Sequence, residues 1–142
     1  MRFARRVYLI AAIYGILVLV PGFFMEREAG IAAPPAITHP EFYFGFYGSA
    51  LVWQFAFLMI ARDPVRYRPL MLVTVLEKLA FFLAVLWLWG ACRLAVGGPF
   101  YGGLIDGALM LLFFIAWIVT GNDSRAARVK APEGQPPEGV RS

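Results

Sequence analysis

Four long, unbroken apolar runs constrain this chain more than anything else in it. They occupy residues 7–24, 42–61, 69–91 and 103–120. An α-helix needs about 20 apolar residues to cross the hydrocarbon layer of a bilayer, and each run is close to that length. The first two carry no charged residue, the third carries Glu77 and Lys78, and the fourth carries Asp106. Membrane-crossing strands do not fit. The runs are continuous rather than alternating, and they are longer than the roughly 10 residues of a barrel strand. A helix also satisfies its own backbone hydrogen bonds, which lipid cannot do. The predicted fold is therefore all-α, a polytopic membrane protein. Residues 1–124 form a four-transmembrane-helix bundle, and residues 125–142 form a disordered cytoplasmic tail that ends in a stretch rich in Pro, Gly and Glu.

Composition points the same way. Hydrophobic residues make up 61% of the 142 and charged residues only 15%, where a soluble domain carries about 25% charge. So much apolar surface cannot be hidden in one small water-soluble core, whereas a bilayer acts as its solvent. The lipid bilayer is thus the first expected partner, with a second copy of the chain or another membrane protein left open as a further one. The net charge of +4 does not mean nucleic acid. The basic residues lie in short clusters between apolar runs, not in a stripe interleaved with aromatics, and nucleic-acid binding is rejected.

Those clusters set the orientation. Arg2, Arg5 and Arg6 precede the first run, and Arg62, Arg66 and Arg68 separate the second from the third. Arg125, Arg128, Lys130 and Arg141 follow the fourth. The other two loops hold only Arg27 and Arg93, so the split is ten against two. By the positive-inside rule the ten are cytoplasmic, giving an N-in, C-in topology. Basic residues before an apolar run also describe a secretory signal peptide. The length of the run and the poor cleavage sequence between Pro21 and Ala33 favour a retained helix.

Local signals mark the boundaries. Pro34, Pro35 and Pro40 break the loop between the first two spans. Asp63-Pro64 and Arg68-Pro69 read as helix starts, since Pro suits the first helical position. Gly97-Gly98-Pro99 and Gly102-Gly103 separate the last two spans. Tyr43, Tyr47, Trp87, Trp89, Tyr101 and Trp117 fall near helix ends and suit the interfacial belt.

The candidate chemistry is sparse. Charge inside a membrane is costly, about 2.5–3.5 kcal/mol per residue on insertion scales, so Glu77 needs explaining first. Its helical face carries Thr74, Ala80, Ala84 and Ala91, and small residues favour helix contact. Glu77 is therefore expected to point into the bundle. Gln54 and Tyr14 fall at a similar depth on their own helices, and Tyr47 and Tyr43 share the face of Gln54. A polar layer of Glu77, Gln54 and Tyr14 would then continue outward through Tyr47 and Tyr43. Three readings fit it: a hydrogen-bond network fixing helix register, a polar pocket for a lipid-like or small ligand, or a catalytic or proton-carrying carboxyl. Lys78 is expected to snorkel toward the cytoplasmic headgroups, with a salt bridge to a neighbouring helix as the alternative.

Asp106 is expected in the first turn of the last helix, where it meets the positive end of the helix dipole. The sharper reading pairs it with Arg93, or places it in an outer polar mouth with Glu41 and His39. Gly103/Gly107 form a GxxxG and Gly45/Ser49 a GxxxS, which permit close approach within the chain or between copies. The single Cys92 excludes an intrachain disulfide and a CxxC pair, and the single His39 excludes bis-His haem ligation within one chain. GxSxG, HExxH, Walker and dinucleotide motifs are absent from the sequence. No metal, cofactor or catalytic residue is assigned.

The segments His39–Phe46, Trp53-Gln54, Arg62–Pro69 and Glu77-Lys78 resemble the small four-helix inner-membrane proteins of bacteria that are broadly DoxX-like. The resemblance spans residues 40–120. It implies a bacterial inner-membrane location and a four-helix bundle, and it brings no catalytic pattern and no residue roles. The function expected is non-enzymatic: an accessory subunit, or a binder of an apolar or lipid-like ligand within the bundle. The alternatives are a membrane enzyme with Glu77 as general acid or base, and small-solute or proton transport by an oligomer.

Overall fold

In the computed structural model, the backbone of residues 2–32 and 34–130 is described, with side-chain surroundings as far as residue 122. The described residues form five helices: α1 Arg2–Phe23, α2 Glu26–Ala32, α3 Pro40–Arg62, α4 Arg68–Gly90 and α5 Gly98–Lys130. Four are long and apolar enough to cross a membrane, namely α1, α3, α4 and the part of α5 from Gly98 to Asn122. The protein is an all-α, multi-pass membrane protein in architecture.

The boundaries shift in informative ways. α5 starts five residues before the predicted position, because Pro99 suits a first helical turn and Gly102 and Gly103 continue the helix. Each glycine costs a helix about 1 kcal/mol relative to Ala, but Gly103 repays this through packing on Val85. The far end of α5 runs through Lys130, so the first part of the expected tail is helical. The remainder, residues 131–142, lies outside the described residues. Asp63-Pro64 is not a helix start. It makes a turn in which the Asp63 carboxylate accepts the Arg66 N–H at 3.1 Å, and α4 begins at Arg68 with a Pro in its first turn. The loop after α1 contains the unforeseen short helix α2, whose first turn carries Glu26 and Glu28 at the end where carboxylates are favoured.

α4 ends in a Schellman motif. Arg93 N–H reaches Leu88 C=O at 2.8 Å and Cys92 N–H reaches Trp89 C=O at 3.0 Å. Cys92 takes the left-handed position with φ 55°, one that glycine usually fills.

α1 packs along α3, and α4 along α5. Contacts of α1 with α5 and of α3 with α4 close the ring of four. Each helix buries a narrow stripe: Ala4, Tyr8, Ala11 and Gly15 on α1, and Met71, Thr74, Lys78 and Val85 on α4. At the centre, Tyr8 stacks on Phe113 at 4.2 Å, and Phe57 meets both rings edge-on. Thr74 donates its hydroxyl proton to Met71 C=O at 2.8 Å. Tyr8 must therefore be the donor in the 2.7 Å bond between its hydroxyl and that of Thr74. Arg68 lies over the Trp117 ring at 4.4 Å and donates to the Trp117 carbonyl.

The core occupies one half of the bundle only. Its buried members are Ala4–Ala12 on α1, Phe57–Ala61 on α3, Met71 on α4, and Phe113 and Ala116 on α5. All lie toward the N-terminus of α1 and the C-terminal end of α5. In the other half, the buried positions of the four long helices are Gly15, Gln54, Val85, Gly103 and Gly107. Each sits at a contact inside one helix pair: Gly15 against Gln54, Gly103 against Val85, Gly107 against Phe82. The two pairs thus share a common core in one half and pack chiefly within themselves in the other.

Candidate functional site

The edge of the core is where the charge lies. Lys78 occupies the middle of the buried stripe of α4, not its margin. Its ammonium donates to Asp106 at 3.1 Å (Oδ1) and 3.2 Å (Oδ2), and to Glu77 Oε1 at 3.4 Å. It also lies 5.5 Å from the Phe57 ring centre, an attractive position for a cation. The glycine contacts set the register of α5 on α4, with Gly107 against Phe82. Asp106 is therefore level with a point one turn beyond Lys78, and the lysine stem spans that turn. Glu77 is nine residues into α4, about 14 Å along it at 1.5 Å per residue, close to the middle of a layer about 30 Å thick.

Several expectations change. Lys78 does not snorkel: its side chain is only 9% exposed, because a carboxylate on the neighbouring helix offers a nearer partner than the headgroups. Asp106 is more than two turns inside α5, too far from the helix end for the dipole to hold it, and its described ion pair runs to Lys78 rather than to Arg93. Arg93 is exposed beyond the α4 cap. His39 and Glu41 pair with each other at 3.2 Å at the exposed start of α3, so the outer polar mouth does not assemble around Asp106.

The expected polar layer is partly brought together. Glu77 does turn inward, with a side chain 20% exposed, but the small residues Ala80, Ala84 and Ala91 are exposed. The contact stripe runs through Lys78 instead. The small residues at that interface come from α5, whose Gly103 and Gly107 admit Val85 and Phe82 of α4. Gln54 is buried at 2% exposure. Its amide nitrogen donates to Ala50 C=O at 2.8 Å, while its oxygen points at the Gly15 backbone where a Cβ would lie. That is the direction of a weak Cα–H···O contact. Gln54 thus serves the α1–α3 contact and not Glu77. Tyr14 is 40% exposed and turns away from the bundle. Tyr47 fits against Gly22 of α1. Tyr43 donates to the Gly22 carbonyl and lies 4.7 Å from the Tyr47 ring. These tyrosines fasten α3 to the end of α1.

Among the described residues, the Gly45/Ser49 pair marks no close helix contact. A Cβ at Gly45 meets open space, and Ser49 bonds carbonyls of its own helix at 2.7 and 3.1 Å. Gly15 and Gly22 were missed as contact glycines. Their signal was the polar or aromatic guest on α3, which sequence spacing alone does not pair with them.

The resulting site is a mixed-charge cluster of Lys78, Glu77 and Asp106 inside a multi-pass membrane bundle. It lies at the edge of the half that holds the shared core. Glu77 Oε2 is buried and has no hydrogen-bond partner among the described residues. Glu77 and Asp106 keep 20% and 18% of their side-chain surface accessible. Comparison with protein-family models, with curated proteins and with solved structures finds no match for this chain.

Proposed function

We propose that this is a bacterial inner-membrane protein with both termini cytoplasmic, and that it binds an amphiphilic, lipid-like ligand without catalysing a reaction. The ten-to-two distribution of Lys and Arg supports the orientation, and the DoxX-like resemblance supports the membrane. One observation carries the ligand reading. The acidic side chains of Glu77 and Asp106 keep part of their surface accessible at mid-membrane depth, outside the shared core, and the buried Glu77 Oε2 has no hydrogen-bond partner among the described residues. Hydrocarbon cannot solvate that surface, and uncompensated polar groups there are expensive. An amphiphile meets both demands, with a polar head on the cluster and an apolar chain along the α3 and α4 faces.

The test is native mass spectrometry of the protein extracted in mild detergent, wild type beside Glu77→Gln. A bound amphiphile in the wild type, weakened in the variant, is the expected result. Bare protein in both would refute the reading. A second membrane protein carried along in place of an amphiphile would turn it toward an accessory subunit.

A further inference from the structure

Resting on that ligand reading, we infer that the head group received at the cluster is a protonated amine and not an anionic phosphate. The cluster sets two carboxylates against one ammonium. The ammonium is the hidden member, nine-tenths buried, with the contacts at 3.1, 3.2 and 3.4 Å all directed to carboxylate oxygens. The acidic side chains keep more accessible surface, 20% for Glu77 and 18% for Asp106 against 9% for Lys78. The less buried members of the cluster are therefore the acidic ones, and the Lys78 ammonium is already shared among carboxylate oxygens.

The unfilled capacity has the same sign. The buried Glu77 Oε2 is an acceptor without a donor among the described residues. The basic residues predicted for the loops on that side, Arg27 and Arg93, are both exposed, and neither has a described ion pair with the cluster. An anionic head would meet like charge in a medium that screens it poorly. An ammonium would instead bring three donors and cancel the surplus negative charge. The surroundings fit an apolar chain beside such a head. Phe81 lies one turn beyond Glu77 on α4, and its ring meets Phe46 of α3 at 5.5 Å. Aromatic faces at that position also favour a cation.

The experiment uses the full chain in nanodiscs of zwitterionic phosphatidylcholine. Dodecylammonium, dodecyl phosphate or dodecanol is added at one low mole fraction, and the melting temperature is followed by tryptophan fluorescence. A ligand that binds the folded state raises it with concentration. The expected result is an upward shift with dodecylammonium that exceeds the other two, is retained in Arg27→Gln and is lost in Glu77→Gln. An equal or larger shift with the phosphate or the alcohol would overturn the amine assignment and leave the ligand reading standing. No shift with any of the three would overturn both. The wild-type series decides between these outcomes even if Glu77→Gln fails to fold.

Discussion

The two helix pairs use one packing device for opposite guests. In α4/α5, glycines 103 and 107 of one helix admit Val85 and Phe82 of the other, and the polar groups lie beside that seam as an ion pair. In α1/α3, glycines 15 and 22 admit Gln54 and Tyr47, so the polar groups are themselves the packing. In lipid there is no hydrophobic drive between helices, and close backbone approach supplies the attraction. The comparison teaches that glycine seams position both pairs, and that away from the helix ends formal charge is confined to the α4/α5 side. That side should accordingly be the more sensitive to loss of a partner.

The largest effect should follow Lys78→Met, which keeps the stem's volume and removes the charge. Two partly buried carboxylates then lose their cation, a loss of about 3–5 kcal/mol by analogy with other broken buried pairs. Reversible unfolding in mixed micelles would measure it, and adding Asp106→Asn should recover part of the loss. If Lys78→Met unfolds like wild type, the ion pair does not hold α4 to α5.

Next come the seams. Gly107→Leu forces a branched side chain into the Phe82 ring, and Gly15→Leu does the same against Gln54. Each should cost about 1–3 kcal/mol through overpacking. Truncating the guest should rescue each one, with Phe82→Ala for the first and Gln54→Ala for the second. Rescue of Gly107→Leu by Gln54→Ala would show that the seams are assigned to the wrong partners.

The smallest effect should be Gln54→Leu. Its amide bonds only its own helix among the described contacts, and interhelical hydrogen bonds in membranes average about 0.6 kcal/mol. A change no larger than that, in the same unfolding assay, separates the polar guest of α1/α3 from the ion pair of α4/α5. A loss as large as that of Lys78→Met would erase the distinction drawn between the pairs.

What the sequence determined by itself is the number, type and approximate limits of the spans. Continuous apolar runs of membrane-crossing length allow little but helices, so residues 42–61 and 69–91 differ from α3 and α4 by only one or two residues at each end. Glu77 as an inward-turned residue was legible too, because charge in such a run demands a protein neighbour.

The facing of the helices was not legible. A soluble helix shows its buried face as an apolar stripe, but a span is apolar all round, and lipid-facing and protein-facing residues look alike. Ala80 and Ala84 therefore suggested a contact face that lies one position away from the real one, at Lys78. Tyr14 was placed inward for the same reason. Only the tertiary structure, by setting Gly103 and Gly107 of α5 against α4, brought Asp106 within reach of Lys78. That pairing joins residues 28 positions apart in sequence, and it depends on a register fixed by small residues on a different helix.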